Sequence, residues 1–274
     1  PLICGSSIVL YHQIKLANLK EIILKIKKFK ISQLYLTPTM ILMMIRYKQI
    51  IFKNFKFENK INIISTSSFL YPDVKNKFSK IYKKNIRNCY GITELCGSIS
   101  YEKKINMNFG YAGNLIPNID IRCKGSKNKP QKIYFKSKCI CQSYLNINKS
   151  MKSKFFDSGD LGYVVNNELF ILGRSGELIK KGGMFVSLTK IEQIALGVEG
   201  VITVAAICKK EKMYGAEIYL YIQANSFNNR KIIKNKLYSK FNNSLNTLES
   251  PDKIVFVKKI PTTVIGKVKK FYYN

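Results

Sequence analysis

The chain has 274 residues, of which 46% are hydrophobic, a composition typical of a folded protein with one large or two smaller domains. Its richest apolar stretch, residues 31–45, is interrupted by polar residues and is shorter than the roughly 20 residues of a membrane span, so we expect none. The net charge of +31 would suit a nucleic-acid-binding protein, but arginine is scarce and the lysines are scattered. We therefore expect solvated lysines, weak polyanion binding and no specific nucleic-acid partner.

The first hundred residues alternate between strand-like and helix-like patterns. The predicted strands are short apolar or alternating runs, and apolar residues recur every three or four positions in the predicted helices. We predict strands at residues 8–10, 31–36 and 62–64 and helices at residues 19–29 and 72–82. This order of strands and helices predicts a parallel α/β sheet.

From about residue 109 onward, glycines and short alternating strands predict an antiparallel β subdomain. Its predicted strands span residues 119–123, 132–135, 161–165 and 169–172. After Arg174 the pattern changes again to a compact α+β unit. Its predicted helices span residues 188–196 and 230–241, and its predicted strands span residues 201–208, 218–223 and 254–257. We place the domain boundary near Gly176, which gives domains at residues 1–175 and 176–274.

The cysteines and the single histidine indicate the chemical setting of the chain. Seven cysteines occur without a CxxC pair, and His12 alone leaves little for a zinc site. Cys139 and Cys141 flank Ile140 in a strand-like run, so we expect both on one face of a sheet. A reduced, cytoplasmic setting follows from this pattern.

The first segment suited to chemistry is residues 90–94 (YGITE). Tyr90 could stack on a purine, and Gly91 would let the backbone approach a phosphate. Thr93 could donate a hydrogen bond to a phosphate oxygen, and Glu94 could bind Mg²⁺, which favours oxygen ligands. Taken alone, the segment also fits a polar turn with no ligand.

Two further segments lie in the second half of the chain. In residues 158–162 (SGDLG), a turn enters a strand, and the Asp160 carboxylate could accept both hydroxyls of a ribose. A plain aspartate turn fits this segment equally well. Residues 173–183 (GRSGELIKKGG) contain Arg174, and their paired glycines permit backbone dihedrals that are closed to other residues.

The fourth segment, residues 261–267 (PTTVIGK), ends in Lys267. A lysine on a loop could bring a point charge to a phosphate or a carboxylate. Because lysine is abundant in this chain, Lys267 taken alone is weak evidence for a site.

In order and spacing, the four segments resemble the motifs of the adenylate-forming superfamily, which includes acyl-CoA synthetases, luciferases and the adenylation domains of peptide synthetases. Residues 90–94 match Y-G-x-T-E, and residues 158–160 match T-G-D with Ser for Thr. The G-R-x-x-D-x-I-K-x-x-G block begins at Gly173, with Glu177 in place of Asp, and L-P-x-T-x-x-G-K matches residues 260–267. Weaker matches extend the resemblance over essentially the whole chain, at residues 1–6, 65–72 and 110–117.

The resemblance implies a fold and a reaction. We expect an incomplete large domain over residues 1–175, with a parallel α/β sheet and an antiparallel β subdomain, and a small, mobile α+β domain over residues 176–274. Enzymes of this superfamily use ATP and Mg²⁺ to convert a small-molecule carboxylic acid to an acyl-adenylate. They then pass the acyl group to a thiol, which is CoA or the pantetheine of an acyl-carrier protein.

The resemblance also implies roles for individual residues. Tyr90 would pack on adenine, Thr93 would contact the α-phosphate, and Glu94 would bind Mg²⁺. Asp160 would hold the ribose hydroxyls, with Arg174 beside it. The other expected nucleotide- or thiol-contacting positions are Ser67, Ser68, Gly91, Lys180, Gly182 and Gly183.

Lys267 would bridge the substrate carboxylate and the phosphate during adenylation, so it joins Thr93 and Glu94 as an expected catalytic residue. The chain departs from the superfamily at the pivot of the small domain, where Gly176 replaces Asp or Lys. The phosphate loop T-S-G-T-T-G-x-P-K does not occur in the chain. Because the chain starts at Pro1, we expect a fragment that does not adenylate without that loop.

Several functions stay open on this basis. An acyl- or aryl-CoA ligase of the compact bacterial kind, such as the succinylbenzoate and fatty-acyl types, fits best. An adenylation enzyme that loads a carrier protein is the nearest alternative, and an inactive nucleotide-binding remnant is another. A basic nucleic-acid binder fits least well, because it would need lysines clustered on one face.

Overall fold

The computed structural model describes residues 5–10, 19–68, 70–145, 154–225, 229–261 and 268. The chain divides into two compact units. Unit 1 comprises Pro1–Asn118 and Cys139–Asn148, and unit 2 comprises Ile119–Lys138 and Lys149–Asn274. The domain boundary near Gly176 stays a proposal, because it rests on the change of sequence pattern after Arg174.

The described part of unit 1 contains three helices and five strands. The helices are α1 (Leu19–Lys28), α2 (Pro38–Arg46) and α3 (Pro72–Tyr82). The strands are β1 (Gln33–Leu36), β2 (Asn62–Ser65), β3 (Ile86–Ile92), β4 (Gly97–Tyr101) and β5 (Tyr111–Leu115). They lie in this order, with β1, β2 and β3 parallel and β3, β4 and β5 antiparallel. The predicted parallel α/β sheet is confirmed, and β4 and β5 are additions to it.

Helices α2 and α3 begin where the sequence supplies start signals. The backbone N–H of Met40 donates to the Thr37 hydroxyl, and Pro38 occupies the first turn of α2. Helix α3 likewise begins at Pro72 and carries Asp73 in its first turn, where a negative charge is favoured. The buried faces of both helices pack in one hydrophobic core with the interior of the parallel strands.

Strand β3 changes its pairing partway along its length. It pairs in parallel with β2 as far as Asn88 and antiparallel with β4 from Cys89 onward. Because β1, β2 and β3 are parallel, their carboxyl ends lie at one edge of the sheet. Ligands of open α/β sheets bind at this kind of edge, so the fold directs attention to the loops that follow β2 and β3.

The described part of unit 2 contains nine strands and two helices. Strands β6 (Asp120–Arg122), β7 (Gln131–Lys136), β8 (Phe156–Val165) and β9 (Glu168–Arg174) pair antiparallel in the order β9-β8-β7-β6. Strands β10 (Leu178–Lys181) and β11 (Met184–Ser187) form a hairpin. A three-stranded sheet follows, with the elements α4 (Leu188–Leu196), β12 (Val201–Lys209), β13 (Glu217–Ala224), α5 (Arg230–Ser244) and β14 (Lys253–Val257). Both helices pack on this sheet through a second hydrophobic core.

Two expectations about strands are wrong. Residues 8–10 have no regular structure, and their apolar side chains are exposed. Residues 138–140 form a turn, so Cys139 and Cys141 do not share a face of a sheet. Three or four alternating apolar residues do not make a strand unless a partner strand accepts their backbone hydrogen bonds.

The described ranges lack two features. None of the helices within them is long and apolar enough to cross a membrane. Those same residues contain no group of three or more His, Cys, Asp or Glu side chains that could hold a metal ion.

Candidate functional site

The carboxyl ends of β2 and β3 bring two of the predicted segments to one edge of unit 1. Ser65 ends β2, and Ser67 and Ser68 follow it in an exposed bend. Tyr90 and Gly91 lie near the end of β3, the parallel neighbour of β2. These hydroxyl groups and this aromatic ring therefore belong to a single strand edge.

Ser65 has an unsatisfied hydroxyl at this edge. The residue is 3% exposed, and its Oγ has no hydrogen-bond partner among the described residues. A buried polar group without a partner costs about 1–3 kcal/mol, so the hydroxyl is a donor available to a ligand. Ser67 adopts a φ of 75°, in the left-handed region that non-glycine residues rarely occupy. Ser65 opens the weaker motif match at residues 65–72, but the resemblance assigns it no contact.

The segment 90–94 crosses from β3 into a 3₁₀ turn. Tyr90 is half-buried within β3, and the turn Thr93–Leu95 follows the strand directly. Thr93 is exposed and Glu94 is half-buried. A hydroxyl and a carboxylate are thus presented just beyond the carboxyl end of a strand.

Gly91 has a structural reason to be glycine. A Cβ at this position would lie 2.0 Å from the backbone oxygen of Gly97, at the start of β4. The pairing of β3 with β4 shifts register between Tyr90 and Gly91, which accounts for the close approach. Close strand pairing therefore explains this glycine without a phosphate ligand.

The Glu94 carboxylate is held by a residue that sequence analysis missed. The Tyr144 hydroxyl donates to Glu94 Oε1 at 2.7 Å, and the backbone N of Cys141 donates to the Glu94 carbonyl at 2.7 Å. The bond to Glu94 raises the pKa of Tyr144 to about 12, so the hydroxyl remains a donor at neutral pH. No sequence motif pointed to Tyr144.

A buried ion pair stabilises β3. Lys75 Nζ lies 2.7 and 2.8 Å from the two carboxylate oxygens of Glu102, and both side chains are almost fully buried. Glu102 Oε2 also accepts the backbone N–H of Asn88 at 2.6 Å. Burial lowers the pKa of Lys75, although its bond to Glu102 opposes the shift. The pair therefore connects α3 to the strand that carries Tyr90.

In unit 2, Asp160 and Arg174 face each other across β8 and β9. Arg174 Nε donates to Asp160 Oδ1 at 3.1 Å, and the two residues are paired in the strand register. The Asp160 side chain is 7% exposed, whereas that of Arg174 is 63% exposed. The arginine thus neutralises a buried carboxylate while most of its own surface remains accessible.

The turn that precedes Asp160 is organised by two short-range contacts. Ser158 Oγ accepts the backbone N–H of Asp160 at 3.1 Å and donates to the Ile133 carbonyl at 2.8 Å. Asp157 accepts the Gly159 backbone N–H at 2.9 Å and Lys132 Nζ at 2.8 Å. Burial would raise the pKa of Asp157, but these two hydrogen bonds together lower it below its ordinary value.

The predicted pivot lies in a tight turn after β9. Gly176 has a φ of 92°, which favours glycine, and a Cβ there would meet open space. The backbone N of Glu177 donates to the Arg174 carbonyl at 2.9 Å. Thr189 Oγ1 donates to Glu177 Oε2 at 3.1 Å, so Glu177, which stands where the superfamily has Asp, connects the turn to α4.

The hairpin β10–β11 accounts for the paired glycines. Gly182 and Gly183 form its two-residue turn with φ values of 55° and 82°, the combination that a type I′ turn requires. Lys180 is exposed, whereas the neighbouring Lys181 is buried and contacts Asp252 at 2.7 and 2.8 Å. Of the two lysines, only Lys180 presents its amine for contact with a substrate.

The predicted site residues are thus divided between the two units. Ser67, Ser68, Tyr90, Thr93 and Glu94 lie on the strand edge of unit 1 or just beyond it. The second unit holds Asp160, Arg174, Lys180, Gly182 and Gly183. Lys267 lies outside the described residues.

Known protein families match both halves of the chain. Residues 1–145 match the AMP-binding enzyme family, and residues 190–267 match the C-terminal domain of AMP-binding enzymes. A 2-succinylbenzoate–CoA ligase of Enterococcus faecalis is 24% identical over 213 residues, covering 73% of this chain and 43% of the relative. The chain therefore spans less than half the length of that relative.

Solved structures show the same fold. The o-succinylbenzoate coenzyme A synthetase of Bacillus subtilis, in complex with ATP and magnesium ion, superposes with a TM-score of 0.76 at 18% identity, covering 98% of this chain and 56% of that one. McyG A-PCP, complexed with phenylalanyl-adenylate, superposes with a TM-score of 0.79 at 20% identity, covering 94% of this chain and 45% of that one. These similarities confirm the resemblance inferred from the sequence motifs.

Proposed function

Because the chain belongs to the AMP-binding enzyme family, we propose that the protein containing it activates a carboxylic acid with ATP and transfers the acyl group to coenzyme A. The observation that carries this proposal is the strand edge of unit 1. It combines the Ser65 hydroxyl, which has no hydrogen-bond partner among the described residues, with the exposed Ser67 and Ser68 and with the Tyr90 ring on the adjacent parallel strand. A purine nucleotide presents the ring and the hydrogen-bonding groups that suit such an edge.

The proposed reaction has two steps. A carboxylate oxygen of the acid forms a bond to the α-phosphorus of ATP, and the bond from that phosphorus to the oxygen bridging to the β-phosphate breaks, which releases pyrophosphate. The thiolate sulfur of CoA then bonds to the acyl carbon, and AMP leaves. Both steps depend mainly on positioning and on neutralisation of phosphate charge.

The strand edge of unit 1 would bind the base and the phosphates. Tyr90 would pack on adenine, and the Thr93 hydroxyl would donate to an α-phosphate oxygen. Glu94 suits Mg²⁺, because it is a half-buried carboxylate that a neutral hydroxyl orients. When bound, the metal neutralises charge on the phosphate oxygens.

Residues of unit 2 would contribute to both steps. The Asp160 carboxylate, oriented by Arg174, would accept the ribose hydroxyls of the nucleotide. The exposed Lys180 and the Gly182–Gly183 turn would contact the incoming thiol substrate. Lys267 would bridge the acid carboxylate and the α-phosphate in the first step.

The adenylation step is tested by carboxylate-dependent exchange of pyrophosphate into ATP, measured in the full-length protein over a panel of carboxylic acids. We expect Thr93→Ala to lower the exchange rate about 100-fold, because a donor to the reacting phosphate is lost. The exposed Thr247, outside the candidate site, provides the matched control Thr247→Ala. Absence of exchange in the wild-type protein with every acid would favour an inactive remnant.

The assignment of Lys267 is tested by separating the two steps. Lys267→Ala should abolish pyrophosphate exchange but leave thioester formation from a preformed acyl-adenylate nearly unchanged. Lys258→Ala, at an exposed lysine nearby in the sequence, is the control. Equal loss of both steps would contradict the role given to Lys267.

Loading of a carrier protein is the second candidate function, favoured by the structural match to McyG A-PCP. The two functions differ only in the thiol that accepts the acyl group. Comparing CoA with a holo-acyl-carrier protein as acceptor, with the same acyl-adenylate, would separate them. Faster transfer to CoA supports the ligase, and faster transfer to the carrier supports the alternative.

A further inference from the structure

We infer that Tyr144 is a positioning residue that orients the Glu94 carboxylate for the metal–nucleotide complex. The inference rests on the proposed function, since it takes Glu94 as a ligand of Mg²⁺. It starts from the 2.7 Å hydrogen bond between the Tyr144 hydroxyl and Glu94 Oε1, two residues that lie 50 positions apart in the chain.

Residue 94 is held through both its side chain and its backbone. In addition to the Tyr144 bond, the Cys141 backbone N donates to the Glu94 carbonyl at 2.7 Å. The segment 141–144 therefore fixes the position of the 3₁₀ turn and the direction of its carboxylate together. A chance contact between an exposed tyrosine and Glu94 would not be accompanied by a hydrogen bond to the Glu94 backbone carbonyl.

Burial does not explain where the tyrosine ring lies. Tyr144 is 45% exposed, and its neighbour Leu145 is 91% exposed, so neither side chain belongs to a hydrophobic core. The hydroxyl bond to Glu94 is the specific contact of the side chain. Removal of the hydroxyl alone therefore tests the function of the residue with little loss of packing.

The bond leaves the carboxylate able to bind a metal. A carboxylate has two oxygens with about four acceptor sites, and Tyr144 uses one of them on Oε1. No lysine or arginine of the described residues forms an ion pair with Glu94, although the chain carries 47 such residues. Within the described residues, the Glu94 carboxylate is thus oriented by a neutral donor and is not paired with a cation. Such outer partners of metal-binding carboxylates typically contribute about 10–100-fold to metal affinity.

The test compares nucleotide binding with and without metal in the full-length protein. The probes are α,β-methylene-ATP, which cannot release pyrophosphate at the α-phosphate, and Mn²⁺, which also favours oxygen ligands and is visible by electron paramagnetic resonance. We expect Tyr144→Phe to bind the metal-free analogue as the wild type does but to bind Mn²⁺ in the nucleotide complex about 10-fold more weakly. Tyr238→Phe, at a tyrosine of similar exposure in unit 2, is the matched control and should change neither value.

A double substitution separates positioning from general destabilisation. In a Glu94→Gln background, Tyr144→Phe should have no further effect on Mn²⁺ affinity, because the group that it orients is already altered. If Mn²⁺ binding depends on Glu94 but Tyr144→Phe retains wild-type affinity, the inference is overturned while the proposed function stands. If Glu94→Gln itself leaves Mn²⁺ binding unchanged, the proposed role of Glu94 fails first, and the role of Tyr144 fails with it.

Discussion

The two units support their candidate residues in different ways. In unit 1, the ion pair that supports the site lies outside the predicted segments. The buried Lys75–Glu102 pair holds β3 through the backbone of Asn88, two residues before Tyr90. Thr93, the predicted phosphate contact, is exposed beyond the end of the strand.

In unit 2, support and candidate residues share one segment. Gly182 and Gly183 form the hairpin turn, and the buried Lys181 between Lys180 and Gly182 contacts Asp252. Side chains suited to binding and side chains that stabilise the fold are therefore separate at the strand edge of unit 1, whereas they share one segment at the hairpin of unit 2. Substitution of exposed side chains in unit 1 should change binding with little change in the free energy of unfolding.

The largest expected effect concerns the two buried lysines. Lys75→Met should reduce the free energy of unfolding by about 3–5 kcal/mol, because it leaves the buried Glu102 carboxylate without its lysine counter-charge. Lys181→Met should have roughly half that effect, because the Asp252 side chain is 34% exposed and water can solvate it. Urea-induced unfolding of the full-length protein measures both values.

Amide hydrogen exchange would show where each substitution acts. Lys75→Met should lower protection in β3, and Lys181→Met should lower it in β10 and β13, the strands that the Lys181–Asp252 contact connects. Equal destabilisation by the two variants would contradict the difference in solvation on which the comparison depends.

The glycines of the two regions provide a second comparison. Gly91→Ala should destabilise the protein by about 2–3 kcal/mol, since the added Cβ meets the backbone of Gly97 and the strands must separate. Gly183→Ala should cost only about 1 kcal/mol, the strain of a left-handed backbone at a site with open space. Thermal unfolding of both variants checks the order. A milder effect at Gly91 would mean that β3 and β4 can shift apart easily.

The smallest expected effect is the pH dependence contributed by Asp157. Its pKa is lowered in the folded protein, so its stabilising contribution is present above the ordinary value of 3.8 and is lost as the pH falls through the lower folded value. The wild type should therefore exceed Asp157→Asn in stability at pH 7, and the difference should shrink below about pH 4. Lys132 and Asp157 are both partly exposed, so the difference is small. Urea midpoints at several pH values would measure it, and a constant difference would contradict the assignment.

Strong periodicity predicted individual elements well. Helices α3 and α4 have the bounds predicted for them, residues 72–82 and 188–196. The hairpin β10–β11 was missed although its Gly-Gly turn between two short apolar runs is a recognised hairpin signal. Residues 8–10 were predicted as a strand from three apolar side chains, which do not determine whether a partner strand is present.

The sequence by itself determined the family and the positions of the candidate residues in the chain, and it predicted α3 and α4 with the bounds that the structure has. These features depend on local spacing and on short motifs, which remain recognisable although the chain is rich in lysine. Only the tertiary structure decided which of the abundant lysines are buried, as Lys75 and Lys181 are, and that Tyr144 contacts Glu94. Contacts of this kind join residues distant in the chain, and they depend on strand register and on which faces pack together.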